Sequence, residues 1–160
     1  MEPLIITAVI NRYQYDELSE DDRVLIDRAK EATKRSYAPY SKFYVGAAVR
    51  LKNGVVVCGN NQENAAYPSG LCAERTTLFY ANSLHPDQPV EVLAIAAQTE
   101  GDFIDMPIPP CGACRQVILE TERRHGQPIR ILLYGKKVIY EVNGIDALMP
   151  LSFDSTNLEG

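Results

Sequence analysis

The sequence has no surplus of basic residues: 16 Lys and Arg stand against 21 Asp and Glu, for a formal net charge of -5. Proteins that grip polynucleotide phosphates draw most of their affinity from a basic face. A nucleic-acid partner is therefore disfavoured and a small-molecule partner favoured. No apolar run approaches the ~20 residues that span a bilayer, so no membrane partner is expected. The apolar stretch Leu4 to Ile10 follows Glu2 and Pro3 rather than a basic region, and Asn11-Arg12 stand where a small-residue cleavage site belongs. That pattern argues against a secretory leader, and a cytoplasmic location is the expectation. Internal repeats, low-complexity tracts and long linkers are missing too, so residues 1–160 read as one domain able to build a hydrophobic core.

Cysteine is scarce, with four residues, and histidine scarcer, with two. In a reducing compartment four cysteines read as metal ligands or reactive thiols rather than as disulfides. His85 precedes Pro86 and His125 precedes Gly126; both fall at expected helix ends and read as exposed cations or caps, not zinc ligands.

What is present is a clear alternation of elements. Residues 19–37 read as a helix, with Ser19 as N-cap, Leu25, Ala29 and Ala32 as an apolar stripe, and Pro39 as the stop. Residues 44–51 and 55–58 read as strands joined at Asn53-Gly54, a hairpin pair tolerant of positive φ. A loop rich in Asn and Gly spans 59–70. Helices are expected over 72–83 and 111–124, and strands over 90–98, 129–134 and 137–142. The tail through Leu148 to Phe153 reads as a short helix followed by a surface segment. The order implies an α/β protein with a mixed sheet layered by helices.

The chemistry sits in Cys72-Ala73-Glu74-Arg75 and Pro110-Cys111-Gly112-Ala113-Cys114-Arg115. Each segment falls where a helix begins, and helix N-termini present unpaired N–H groups and a positive dipole end that stabilise thiolates. Two such ends aimed at one spot favour three thiolates, Cys72, Cys111 and Cys114, around a Zn²⁺. Three protein ligands leave a fourth position for water, the pattern of a catalytic site. Residues two apart inside a helix do not share a face, so Glu74 joins Cys72 only if Cys72 lies at or before the first turn. A zinc ion lowers the pKa of bound water from about 15.7 to about 7, roughly 12 kcal/mol. A proton shuttle at Glu74 adds about 10²- to 10⁴-fold. Three thiolates overcompensate the metal charge, and Arg75, three residues after Cys72, is favoured over Arg115 to donate hydrogen bonds to the sulfurs.

Four segments in this order, Tyr40 to Ala48, Asn61 to Pro68, Cys72 to Thr76 and Pro110 to Gln116, followed by Leu148-Met149-Pro150 and Phe153, resemble the small zinc-dependent cytidine deaminases of pyrimidine salvage. The resemblance covers most of the chain and implies a three-layer α/β/α fold with a mixed sheet of roughly five strands. It implies one Zn²⁺ per subunit held by Cys72, Cys111 and Cys114, with hydroxide on the metal attacking C4 of cytosine while Glu74 carries protons to N3 and the departing amine. Asn61 and Glu63 are implied to hold the ribose hydroxyls, Phe43 to pack on the pyrimidine, and the Ala73 backbone to meet the base edge. Tyr67 and Phe153 are implied to reach a neighbouring subunit's site in a homotetramer. The products are uridine or deoxyuridine and ammonia. Residues 1–15 extend beyond the family's usual start; an edge strand or an interface contact are both open for them.

Other readings compete. Cys111-Gly112-Ala113-Cys114 alone resembles a redox pair, and Cys58 is the one spare cysteine for a closed structural zinc site, although its Val-rich strand suggests a buried apolar thiol. Deamination of a cytosine-containing antibiotic would not need Asn61-x-Glu63. A polynucleotide-editing deaminase would want a basic groove and a histidine where Cys72 stands. A non-catalytic zinc binder would have no use for Glu74.

Overall fold

The computed structural model describes residues 1–158. Three helices, α1 (Glu20–Ala32), α2 (Ala73–Leu84) and α3 (Gly112–His125), flank one sheet. The strands are β1 (Asn11–Tyr13), β2 (Tyr44–Leu51), β3 (Val56–Asn60), β4 (Val90–Thr99), β5 (Asp102–Phe103), β6 (Arg130–Tyr134) and β7 (Ile139–Asn143). They run in the order β1-β7-β6-β4-β2-β3, with β5 paired to the end of β4. Only β4 and β6 pair in parallel, and the sheet is mixed.

The side-chain period of two sorts this sheet into two cores. From β2, Val45, Ala47, Val49 and Leu51 join Leu93, Ile95, Ile131 and Leu133 beneath α2 and α3. From the other face, Ala48, Val92, Ala94, Ala96 and Leu132 meet Leu25, Ile26 and Ala29 of α1. The three layers are therefore helix, sheet and helix pair, as expected. Gly46 allows the tight approach of α1: a Cβ there would fall 2.0 Å from the Ala29 carbonyl oxygen.

Local chemistry places most boundaries near their expected positions. Ser19 accepts the Asp22 N–H at 3.2 Å and caps α1. The helix ends earlier than position 37, tightening into a 3-10 turn at Thr33–Arg35, where the Thr33 hydroxyl bonds the Lys30 carbonyl at 2.7 Å. Gly54 takes φ +85° in the β2–β3 turn, and β3 runs on to Asn60.

Three expectations need correction. The sheet has seven strands rather than about five. Part of the N-terminal extension supplies β1, registered on β7 from Asn11↔Glu141 to Tyr13↔Ile139. The short β5 folds back through Glu100 and Gly101, both at positive φ, a geometry suited to a two-residue hairpin turn. The turn after β1 and the strand β5 meet at Lys30 of α1, whose Nζ lies 5.8, 5.3 and 4.8 Å from the rings of Tyr15, Phe103 and Tyr134, a cation–π arrangement. Second, Cys58 is exposed, not buried; in β3 it is Val57 that faces the core, and alternation turns Cys58 outward. Third, the short helix expected in the tail is a single 3-10 turn that ends before Leu148, and no helix runs over 148–153. Short 3-10 turns lie on either side, at Ile145–Ala147 and Ser155–Asn157, with Leu151 at φ +55° between them.

A polar network ties the edge of the sheet to α1. Arg130 grips both oxygens of the buried Asp22, at 2.6 and 2.8 Å, and Glu141 at 2.9 Å. Glu141 in turn accepts from Asn11 of β1 at 3.0 Å. Among the described residues no helix is long and apolar enough to cross a membrane.

Candidate active site and metal centre

Both helices of the lower layer begin at a cysteine. Cys72 (φ -69°, ψ 157°) and Cys111 (φ -67°, ψ 167°) are the extended N-cap residues of α2 and α3. Their carbonyls accept the first intrahelical bonds, from Thr76 and Arg115 at 3.0 and 2.9 Å. Among the described residues neither cap sulfur bonds a helix N–H, so both thiols are left for another partner. Cys114 follows in the first turn of α3 and is fully buried.

The three Sγ atoms lie within 4.8 Å of one another. Cys72 and Cys111 are separated by 3.7 Å, and Cys111 and Cys114 by 3.5 Å. Tetrahedral zinc with sulfur bonds of about 2.3 Å sets ligand sulfurs about 3.8 Å apart, while a disulfide needs about 2.05 Å. Spacing and donor type both fit a thiolate-bound zinc ion. The Cys72 thiol is pulled down to about 5, first by a hydrogen bond from the Cys114 thiol, with Arg75 and Cys111 assisting against burial. Cys114, as donor and fully buried, is pushed up. Arg75 reaches Cys72 Sγ with Nη2 at 3.7 Å, and its buried Nε has no hydrogen-bond partner among the described residues. Arg115 instead bonds the carbonyls of Pro110 and Leu148, bracing the loop before α3 and the tail.

Glu74, the second residue of α2, is 4% exposed. Burial pushes its carboxyl up to about 7, against the pull of its own backbone amide, and the Cys72 charge adds to the rise. Carboxyl groups raised into this range suit proton transfer at neutral pH. A cavity of about 420 Å³ opens beside Cys72 and Arg75, walled by Tyr40, Ser41, Asn61, Gln62, Glu63, Asn64, Tyr67, Gly70 and Leu71. The wall is held by backbone pairing of Gln62 with Leu71, at 2.9 and 3.0 Å, and of Tyr37 with Asn61 and Glu63.

This arrangement has known counterparts. Residues 19–125 match the model of the cytidine and deoxycytidylate deaminase zinc-binding region. The chain belongs to that family. A cytidine deaminase of Halalkalibacterium halodurans is 47% identical over 100 residues, covering 62% of this chain and 71% of the relative. One from Mycobacterium tuberculosis is 40% identical over 100 residues, 62% of this chain and 71% of its own. The crystal structure of cytidine deaminase from Burkholderia pseudomallei superposes with a TM-score of 0.70 at 37% identity, covering 85% of this chain and all of that one. The protein is thus an enzyme of the cytidine deaminase family, a family of zinc-binding hydrolases, and its cysteine trio is where zinc fits.

Within this deaminase site the expected residues fall into two groups. Cys72, Cys111, Cys114, Glu74, Arg75 and the buried Ala73 gather at the starts of α2 and α3. Asn61, Glu63 and Tyr67 line the cavity. Phe43 does not; it lies half-buried against the core beneath α2 and α3. Phe153 does not either; it is 58% exposed on the tail. Asn61 Oδ1 accepts Val45 N–H and Nδ2 donates to the Phe43 carbonyl, both at 2.9 Å, so its amide stands in for a neighbouring strand. The Glu63 carboxylate accepts from the backbone N–H of Tyr40 and Ser41 and from the Ser41 hydroxyl. Sequence reasoning missed Tyr40 and Ser41 as the turn that aims Glu63. Their signal in the sequence was Pro39 followed closely by Ser41, both turn-favouring residues, and Lys42 at φ +55° completes the turn directly before β2. Cys58 does not join the metal cluster.

Proposed function

We propose that this chain catalyses the hydrolytic deamination of cytidine and deoxycytidine, releasing uridine or deoxyuridine and ammonia, in pyrimidine salvage. The observation that carries the reading is a buried carboxyl, Glu74, set two residues from one of three clustered thiols at the edge of a cavity sized for a nucleoside. Cys72, Cys111 and Cys114 would hold one Zn²⁺ per subunit, and the ion would supply the Lewis acidity that makes water a nucleophile near neutral pH. Glu74 would take the first proton from the water and deliver it to N3 as the oxygen bonds to C4, then take the second from the new C4 hydroxyl and deliver it to the amine, so that the C4–N bond breaks and ammonia leaves. Arg75 moderates the excess negative charge of three thiolates.

The remaining assignments carry over what the resemblance implies. Glu63 and Asn61, on the cavity wall, recognise the ribose hydroxyls, with lone pairs and an amide hydrogen beyond those used within the chain. The Ala73 backbone is assigned to the base edge, and Phe43, which packs against the core, is assigned to the pyrimidine face on the resemblance alone. Tyr67 and Phe153, 78% and 58% exposed, reach the site of an adjacent copy in a homotetramer. The chain works as a single cytoplasmic deaminase domain with no nucleic-acid or membrane partner.

The test is turnover. Purified protein mixed with cytidine should release uridine and ammonia, and a chelator that strips zinc should stop it. Zinc-loaded protein that leaves cytidine unchanged overturns the proposal. Because Glu63 places a carboxylate beside the sugar, cytidine monophosphate should be a much poorer substrate; equal turnover of the two would remove Glu63 from its assigned role.

A further inference from the structure

The tail after β7 treats one residue unlike its neighbours. Leu151 and Phe153 are 84% and 58% exposed, and Leu158 is 75% exposed, yet Asp154 among them is buried. Asp154 Oδ2 accepts from Arg123 Nε at 2.8 Å. Its Oδ1 accepts from Thr156 N–H at 3.0 Å and from the Thr156 hydroxyl at 2.6 Å. Its own N–H donates to Asn157 Oδ1 at 2.9 Å. One residue earlier, the Phe153 carbonyl accepts from Gln116 Nε2 at 2.9 Å. Arg123 also holds Asp146 at 3.0 Å, in the turn that opens the tail.

These bonds secure the Phe153 carbonyl and the turn that follows it and leave its ring uncovered. A phenylalanine serving the core would be buried, and a tail without a task would not need three separate anchors. Gln116 and Arg123 lie seven residues apart on α3, about two turns, and so share a face. The same helix carries Cys111 and Cys114 at its start. One rigid element thus sets both the metal position and the posture of the exposed ring. An aromatic held this way loses little freedom on meeting a ligand, which is the advantage of preorganisation.

We infer that Asp154, with Arg123 and Gln116, is a positioning residue that presents the Phe153 ring to close the nucleoside site of an adjacent copy. The inference rests on the proposed function and adds the device that makes Phe153 effective. The clamp acts on binding and not on the reacting atoms, so it moves KM and spares kcat.

The experiment compares wild type, Asp154→Ala, Asp154→Asn, Gln116→Ala, Phe153→Ala and the Phe153→Ala/Asp154→Ala double variant, with cytidine as substrate and zinc content measured in each. Asp154→Ala should raise KM about 10-fold with kcat within about 2-fold of wild type and zinc unchanged. Asp154→Asn keeps an oxygen for Thr156 and loses the charge facing Arg123, so its rise should be smaller. Gln116→Ala should raise KM in the same direction, which keeps the inference testable if Asp154→Ala folds poorly. Once Phe153 is gone, removing Asp154 should change KM by less than about 2-fold, because coupled residues are not additive. An active wild type whose KM is indifferent to all three anchor substitutions overturns the clamp alone, as does full additivity in the double variant. A zinc-loaded wild type without cytidine turnover overturns both the clamp and the function it serves.

Discussion

Helix α1 and the pair α2 and α3 begin in opposite ways. At α1, Ser19 spends its hydroxyl on the Asp22 N–H, satisfying a donor that would otherwise be orphaned. At α2 and α3 the equivalent positions are Cys72 and Cys111, whose sulfurs make no capping bond among the described residues. A serine cap contributes about 1 kcal/mol to stability; the two cysteine caps forgo that gain and keep their sulfurs and helix dipoles for a metal. The same local geometry serves folding on one face of the sheet and chemistry on the other. Positions that look suboptimal for stability are where function is expected to lie.

Four outcomes would break or sharpen that contrast. The largest belongs to the cysteine-capped starts: Cys111→Ala should lose bound zinc and turnover together, measured by metal analysis and the cytidine assay, since two thiols alone make a poor site. Activity at the wild-type level in a zinc-free variant would remove the metal from the mechanism. Next is Glu74→Gln, which should keep zinc and lower kcat by about 10²- to 10⁴-fold. A variant that still turns over normally would make Glu74 an ordinary first-turn acid.

The start of α1 should respond in stability instead. Arg130→Ala leaves Asp22 without its bidentate partner and should cost about 2–3 kcal/mol in urea unfolding, reduced from the fully buried case because Arg130 is partly exposed. Turnover of the folded fraction should stay near normal. Burial of Asp22 would raise its pKa, but hydrogen bonds from Arg130 and from the Ser19 cap, with the nearby cations, hold it below the ordinary value. The stability this group supplies is therefore present above its unfolded pKa, about 4, and is lost as the pH falls through the lower folded value. Arg130→Ala should flatten that acid limb. Smallest is Ser19→Ala, expected to cost about 1 kcal/mol and a few degrees in Tm, with kcat unchanged. A kcat defect there would mean that the two faces of the sheet are coupled.

Much of the site was legible because its signals are local. Cys72-Ala73-Glu74 and Pro110-Cys111-Gly112-Ala113-Cys114 announce helix starts by their neighbours, and the convergence of Cys72 with Glu74 followed from placing the cysteine at the cap. The β2–β3 turn was legible in Asn53-Gly54 for the same reason. The two extra strands were not, since three residues of β1 and two of β5 carry no periodicity long enough to detect. Their place depends on Glu141 and Lys30, distant in sequence. Cys58 was misread because an apolar strand does not by itself declare which face is inward. The extension's β1 answers part of the question left open for residues 1–15.

The sequence by itself determined the three helices and the longer strands, the helix starts, the thiol trio and the family, because spacing along the chain sets what each helix end presents. Only the tertiary structure decided that three sulfurs distant in sequence stand within 4.8 Å, that Glu74 is buried beside them, and that Glu63 is aimed by the Tyr40–Ser41 turn. It also decided that Asp154 pins the tail to α3. Distances between remote residues are set by how α1 and the α2–α3 pair pack on the sheet, and burial, which sets the charge state of a carboxyl, exists only once they have.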